Sequence, residues 1–543
     1  MASFDRRDTR ADVAAREYDV VVIGAGMTGT GVAVDAATRG YRVALLDAGD
    51  IAVGTSSKSS KMVHGGLRYL QQREFRLVFE NLRERQRLLD NAPYLVRPLP
   101  FLIPLFGRDG VVSRALVRGY SSALRLYDLG GGWRIGHRHR RVTREESLAF
   151  LPSLDASRLV ASFLYYDARG DDARVALTLA RSAADAGATV LTYARVTGLE
   201  RSAGRVTGVH VRDEIDGSTF TVATRSVVNA SGVWADRVAS DLHPGAPSSL
   251  IPAKGVHVTV PRHRLPADVA AVLAVPGDRR SVFVVPFEDA PFTFVGTTDT
   301  PYDESLDDPR ATAEDVLYLL GAVNASTSSD LTPEDVTGVW AGLRPLLSSS
   351  GRRPTSARTA DLSRRHRVSD DGDGVIHVTG GKWTTYRQMA EDAVDALGAY
   401  LGRQPTHTVR LALHGVGSWR PANTDEEHLY RRYGEDARVI LDLIDATPAW
   451  GERPIAGLPY RAAEFVYGVR HEMAQNLVDL LTRRTRAHLQ DARATAAAAR
   501  DIARLVAPDL GWDDAEARRQ AEAYRTLARD EFTTAGLPWD DPA

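Results

Sequence analysis

The stretch Val20-Val21-Val22-Ile23-Gly24-Ala25-Gly26-Met27-Thr28-Gly29 decides the fold. It runs on into Thr30-Gly31-Val32-Ala33-Val34-Asp35-Ala36-Ala37, and a second apolar run, Val43-Ala44-Leu45-Leu46, ends on Asp47. The pattern predicts strand, glycine turn, helix and strand. Each part has a task in binding a dinucleotide. Gly24 permits the tight turn, Gly26 lets backbone amides approach a pyrophosphate, and Gly29 allows the helix to lie close on the strand. The helix N-terminus offers unpaired N–H groups to the phosphates. Asp47, at the tip of the second strand, is placed to accept hydrogen bonds from a ribose hydroxyl.

The 543 residues exceed what one core organises, so two or three domains are expected. A net charge of -2 argues against a nucleic-acid binder. The absence of cysteine excludes disulfides, a thiol nucleophile, a cysteine-linked flavin and Cys-ligated iron–sulfur clusters. Residues 1–17 carry Arg6, Arg7, Arg10 and Arg16 with no apolar run behind them, and read as a disordered lead-in rather than a signal peptide. The stretch Pro98-Leu99-Pro100-Phe101-Leu102-Ile103-Pro104-Leu105-Phe106 is too short and too rich in proline to span a bilayer. A cytoplasmic chain that touches the membrane from inside is expected. No HExxH spacing occurs among the 14 histidines, and no metal site is expected.

Beyond Asp47 lies Gly54-Thr55-Ser56-Ser57-Lys58-Ser59-Ser60-Lys61-Met62-Val63-His64-Gly65-Gly66-Leu67-Arg68-Tyr69-Leu70. Hydroxyls, glycines and bases in this density can wrap an anionic ligand, although a solvated serine-rich loop has the same composition. From Ser59 to Leu70, and through Glu74-Phe75-Arg76-Leu77-Val78, the order of residues resembles the flavin-contacting segment of the FAD-dependent glycerol-3-phosphate dehydrogenases. These are members of the glycine/D-amino-acid oxidase-like flavoproteins. The resemblance implies FAD as cofactor. It assigns cofactor contacts to Gly24, Gly26, Gly29, Asp47, Thr55, Ser56, Ser59, Ser60, Lys61, Met62, Gly65 and Gly66, and further on to Gly232, Gly380, Gly381, Lys382 and Thr384. Asp47 stands where the family usually has glutamate.

The expected fold class is α/β: a Rossmann-like FAD-binding domain with an inserted antiparallel-sheet substrate domain and an all-helical C-terminal domain. The FAD-binding domain is expected at 18–90, 165–250 and 340–400, the substrate domain at 91–164 and 251–339, and the helical domain at 405–543. Asp171 and Asp172 cap a predicted helix, and Thr312 with Asp315 forms a capping box. Short alternating runs from Val256, Ser281 and Phe292 predict hairpins. Helical character is expected at 462–481, 495–506 and 514–528, with Asp513 as a cap. Between 91 and 144, arginines interleave with Phe101, Phe106, Tyr120, Tyr127 and Trp133, which suits either an anionic leaflet or a solvated helical face.

Two strands end in small-residue turns, Asn229-Ala230-Ser231-Gly232 and Thr379-Gly380-Gly381-Lys382. Each fits a further backbone approach to the cofactor, and the helix after the second could stabilise negative charge on a reduced flavin. Glycerol 3-phosphate, the substrate implied by the resemblance, is a dianion with one secondary alcohol. Its site needs cations for the phosphate, an acceptor for the hydroxyl proton and one for the C2 hydride. The expected substrate residues are Arg68, Tyr69, His257, Arg344 and Lys382, with His257, Arg344 and Lys382 also carrying the catalytic assignment. Thr298 and Asp299 stand beside them as weaker candidates. The implied partners are sn-glycerol 3-phosphate, a quinone as electron acceptor, an anionic membrane face and, with oligomeric state left open, a second copy of the chain. Three alternatives stay open: an oxidase that passes electrons to oxygen, an amine or hydroxy-acid oxidase on the same fold, and a flavin-binding sensor without turnover.

Overall fold

The computed structural model describes residues 4–67, 69, 74–107, 114–245, 248–278, 280–347 and 365–540, with the side chains of 114–116 left aside. Its central sheet has six strands in the order His366–Asp370, Val375–Gly380, Val227–Asn229, Val20–Ile23, Val43–Leu46, Thr189–Leu191. All neighbours are parallel except the first pair. The two strands of the opening motif are buried at every position, as a parallel sheet covered on both faces requires. The helix Met27–Thr38 lies between Asp172–Asp185 and Tyr386–Leu401. Its contact with the last is close: a Cβ on Gly31 would come within 2.7 Å of the Tyr386 ring.

A four-stranded sheet, Glu17–Tyr18, Thr219–Thr224, Arg205–Asp213 and Ala194–Ser202, packs beside the first. The third and largest sheet has ten strands. Its long members are Val96–Phe106, Leu159–Gly170, Leu250–Pro261 and Gly338–Leu347. It is antiparallel except where Ala270–Ala274 runs parallel to Val96–Phe106. The boundaries differ from those read in the sequence. Leu159–Gly170 and Gly338–Leu347 belong to this sheet through their ladders to Val96–Phe106 and Leu250–Pro261, so the sheet runs past 164 and past 339. Even Met62–Val63, inside the cofactor loop, is its edge strand.

The capping signals lie where the sequence puts them: Asp171 accepts from the Ala173 and Arg174 amides, and Thr312 and Asp315 form the capping box. Residues 1–17 are corrected: Arg6–Val13 is a helix capped by Asp5, and Arg6 is buried against Asp213 at 2.8 Å. That partner lies some 200 residues away, which is why local composition reads as disorder. The helix expected over 462–481 stops at Glu472. Met473 takes a left-handed φ of 56°, a short turn and a π-helical segment Leu480–Arg484 follow, and regular helix resumes as Ala492–Leu510 and Asp514–Thr534. Among the described residues, no helix is long and apolar enough to cross a membrane.

Candidate functional site

The central strand Val20–Ile23 has Val43–Leu46 on one side and Val227–Asn229 on the other, so the strand order reverses there and a crevice opens beyond the strand ends. The glycine turn fills the near wall of that crevice. Gly24 has φ +105°, and a Cβ on it would lie 2.8 Å from the Ala230 carbonyl oxygen. A Cβ on Gly29 would overlap the Gly24 carbonyl oxygen. Gly26 caps the helix Met27–Thr38 with no side chain of its own and no acid in the first turn. The Met27 amide instead donates to Ser56 Oγ at 2.8 Å. An uncharged helix N-terminus bordered by backbone and one hydroxyl fits a pyrophosphate. Gly232 has φ +63°, and a Cβ on it would meet open space.

Asp47 braces the glycine turn. Its carboxylate accepts from the Ala25 amide at 2.5 Å and the Gly49 amide at 2.8 Å. Burial pushes its pKa above the ordinary carboxylate value, against those two amides. A ribose hydroxyl donating there would favour the charged form, so the residue fits the role while also holding the turn.

The loop after Asp47 divides into functional and structural halves. Thr55 Oγ1 donates to the Leu343 carbonyl at 2.6 Å, and a Cβ on Gly342 would meet the Lys58 carbonyl at 2.8 Å. The loop thus rests on the strand that carries Arg344. Ser60 Oγ lies 2.7 Å from His257 Nε2. Lys61 and Met62, expected as cofactor contacts, turn inward. Lys61 Nζ pairs with Asp172 at 3.3 Å, and Met62 is buried in its strand. Burial and the charge of Arg486 lower the Lys61 pKa to about 8 against the pull of Asp172. Ser59 divides its two polar groups, its amide donating to Asp172 at 2.8 Å and its Oγ accepting from the Lys61 amide at 3.0 Å.

His257 occupies the middle of Leu250–Pro261, paired with Gly296 on one side and Trp340 on the other. Glycine is needed at 296 because a Cβ would enter the imidazole. Trp340 stacks on the ring at 4.8 Å with the planes 5° apart. Burial drives the His257 pKa well below the ordinary value, and the positive charges of Lys61 and Arg344 lower it further, so the ring is neutral at pH 7. Its Nδ1 is buried without a hydrogen-bond partner among the described residues. Arg344 donates to Thr297 Oγ1 at 3.0 Å and to the Lys254 carbonyl at 3.3 Å, and pairs with Asp299 at 3.3 Å. Thr298 is buried and accepts from the Val256 amide, a structural use.

Gly380 and Gly381 both have left-handed φ, and Lys382 follows them. Its Nζ sits 3.7 Å from the centre of the Tyr69 ring, a cation–π contact. Gly66 lies against the same ring, so the loop that meets His257 at Ser60 reaches Lys382 six residues later. Thr384 is buried in the turn that starts the following helix. Gly65 is fixed by its amide to Tyr127 Oη at 2.9 Å and Asp167 at 3.2 Å, and Asp167 is paired with fully buried Arg85 at 2.6 Å. Arg68 lies outside the described residues. Sequence reasoning missed Asp167 and Trp340 and read Asp172 only as a helix cap, whereas it pairs with Lys61. For both aspartates the signal was a charge inside an apolar context.

A parallel sheet with a glycine turn at its switch point, joined to a large antiparallel sheet that brings histidine and arginine to the loop beyond it, defines a flavoenzyme of the FAD-dependent oxidoreductase class. The family described as FAD dependent oxidoreductase matches residues 19–395, and the C-terminal domain of alpha-glycerophosphate oxidase matches residues 376–517. Within that class the chain belongs to the glycerol-3-phosphate dehydrogenase family. It is 40% identical to glycerol-3-phosphate dehydrogenase 2 of Mycobacterium tuberculosis strain H37Rv, over 96% of this chain and 90% of that one. It is 34% identical to the human mitochondrial glycerol-3-phosphate dehydrogenase, over 94% of this chain and 73% of that one. The crystal structure of the Bacillus halodurans glycerol-3-phosphate dehydrogenase complexed with FAD superposes with a TM-score of 0.78 at 27% identity, covering both chains completely.

Proposed function

We propose that the chain oxidises sn-glycerol 3-phosphate to dihydroxyacetone phosphate and passes the electrons to a quinone. The observation that carries this reading is the meeting of a neutral, buried imidazole with a forked guanidinium at the edge of the cofactor loop: His257 against Ser60, with Arg344 close enough to depress its proton affinity. FAD, when bound, supplies the hydride acceptor. The residues fit to hold it are those of the turn at Gly24, Gly26 and Gly29, Asp47, Ser56, and the backbone at Gly232, Gly380 and Gly381.

Arg344, Lys382 and Arg68 hold the phosphate in this reading, and Arg344 suits it because its planar fork can make two bonds to one phosphate. Tyr69 forms a wall of the pocket beside Lys382. His257 accepts the C2 hydroxyl proton. As a neutral ring it can do so, but Lys61 and Arg344 disfavour the imidazolium that results. A dianionic phosphate on Arg344 offsets that charge, so proton transfer becomes favourable when the phosphate ester is present. This supports a dianionic phosphate ester over a neutral polyol or a zwitterionic amino acid.

An exposed apolar and basic surface supports a peripheral membrane position on the cytoplasmic side, where a quinone is met. Leu129 is 79% exposed, Trp133 54%, and Phe75 and Phe79 each 41%. Arg76, Arg83, Arg134 and Arg365 line a cleft that includes Phe79, with Glu80 and Asp392 also in its wall. The test of the enzyme reading is anaerobic. Glycerol 3-phosphate should bleach the flavin absorbance near ~450 nm, and glycerol should not. Bleaching by neither ligand would remove the substrate assignment. Faster turnover with oxygen than with added quinone would favour the oxidase instead.

A further inference from the structure

The geometry points to Arg486, in the C-terminal helical region, as a positioning residue for the cofactor loop. Resting on the site reading above, we infer that this region sets FAD affinity without touching FAD. Arg486 is 2% exposed. It donates to the Ser57 carbonyl and, at 3.2 Å, to Asp172 Oδ1. Asp172 in turn accepts from the Ser59 amide and pairs with Lys61. Three of the five residues 57–61 are thereby held by one guanidinium and one carboxylate. Ser60, between the two residues held by Asp172, is the one whose hydroxyl meets His257.

A buried loop carbonyl must find donors, and that of Ser57 takes them from Arg486 and, at 3.4 Å, from Lys61 Nζ. Arginine can serve a carbonyl and a carboxylate at once through separate nitrogens fixed in one plane, whereas a lysine must bring both partners to a single nitrogen. The start of the same loop is tied to the same turn of chain: Asp50 is paired with Arg483 at 2.6 Å and Arg484 at 2.7 Å. The π-helical segment Leu480–Arg484 followed by an extended Thr485 spreads these side chains, so 483 and 484 reach one end of the loop and 486 the other. Loop order and docking of this turn are one event, and any ligand that orders the loop must tighten the turn by the same free energy.

The first measurement uses the unaltered full chain. Hydrogen exchange is followed with and without FAD. Slowing of exchange by tenfold or more at residues 480–490, together with residues 24–31, is the expected result. Slowing at 24–31 with none at 480–490 overturns the proposal and leaves the cofactor site standing. No slowing at 24–31 overturns the site reading and the proposal with it. The second measurement compares Arg486→Met, Arg486→Lys and, as a control on a half-exposed pair elsewhere in the region, Arg470→Ala. FAD affinity of the apo chain is read by flavin fluorescence. Arg486→Met should weaken binding at least tenfold beyond what its lower apo melting temperature accounts for, Arg486→Lys by less, and Arg470→Ala not at all. Unchanged FAD affinity in Arg486→Met would overturn the assignment. With FAD saturating, the Arg486→Met chain should also show a displaced acid limb in the pH profile of flavin reduction, because Ser60 no longer stands fixed against His257.

Discussion

The glycine turn at 24–29 and the loop at 47–61 form adjoining parts of one site by opposite means. The turn contains no charged side chain and depends on what is missing: backbone lies where a Cβ would have to be. The loop depends on buried charge, with Asp50, Lys61 and Asp172 each bound to a partner outside it or far along the chain. A site wall made from absent atoms has only local requirements. One made from ion pairs has requirements spread over the whole chain, and each pair left half-complete is costly. The two should therefore fail differently. Gly29→Ala places a methyl on the Gly24 carbonyl oxygen, and neither is a flexible side chain. This should cost more than ~5 kcal/mol and give a colourless, poorly soluble chain, because the backbone of the first strand must move. Retention of a normal flavin spectrum would show that the turn can relax.

The loop should break less completely. Asp50→Asn preserves shape and removes the charge between Arg483 and Arg484, leaving both arginines buried. A loss of ~3 kcal/mol is expected from denaturant unfolding, chiefly because buried Arg484 loses its carboxylate partner, whereas Arg483 keeps Asp479. Replacement of all three residues by apolar ones of similar volume should recover part of it, which would separate the energy of the pair from the penalty of breaking it.

That contrast also explains how much was legible in the sequence. The strand, turn and helix of 20–38 declare themselves because apolar run, glycine spacing and helix length are all local. The caps at Asp171 and Thr312 are likewise decided within four residues. The helix at Arg6–Val13 was not legible, because its anchor is Asp213. Neither was the inward turn of Lys61: in sequence it looks like one more base in a polar loop, and only the strand pairing of Met62 and Val63 with Arg169 and Ala168 shows that the chain dives under the surface there. His257 was legible as a histidine among valines, but its stacking on Trp340 and its bond to Ser60 depend on a register between distant strands. The break at Met473 was hidden because helix propensity continues through it, whereas the packing of the arginine-bearing turn does not allow a continuous helix.

Two histidines sharpen the comparison through pH. His257 is buried beside positive charges and His428 beside negative ones, with His428 3.1 Å from Glu464 and 3.2 Å from Asp289. Burial disfavours the His428 imidazolium, but the two carboxylates outweigh it and raise its pKa to about 9. A raised folded pKa gives stability that is full below the unfolded value near ~6.5 and is lost as pH climbs through about 9. At most ~3 kcal/mol is at stake, from the size of that shift. His257 has the opposite sign: its depressed pKa means the unfolded chain binds a proton first, so stability falls as pH drops below ~6.5. Melting temperature should therefore decline below pH ~6.5 and again between pH ~6.5 and about 9. Lys61, whose pKa is lowered to about 8, adds stability above that value and offsets part of the alkaline decline. His428→Gln should flatten the alkaline decline and leave the acid one. If the alkaline decline survives that substitution, the interface of Asp289 with the helical region is not what titrates.

The smallest expected effect tests whether burial, rather than contact length, separates the loop from ordinary surface. Arg453 and Asp425 approach to 2.6 Å, the same distance as Arg483 and Asp50. Their side chains are 50% and 52% exposed, against 9% and 0% for the buried pair. Water solvates either exposed charge once its partner is gone, and holding two long side chains together costs entropy that offsets the Coulomb gain. Arg453→Ala should change unfolding free energy by no more than ~0.5 kcal/mol, and added salt should erase even that. Asp50 offers little such escape, because the Arg484 side chain is 1% exposed and that of Arg483 9%. If Arg453→Ala instead cost as much as Asp50→Asn, geometry alone would govern these pairs, and the buried anchoring of the cofactor loop would lose its energetic distinction from the surface.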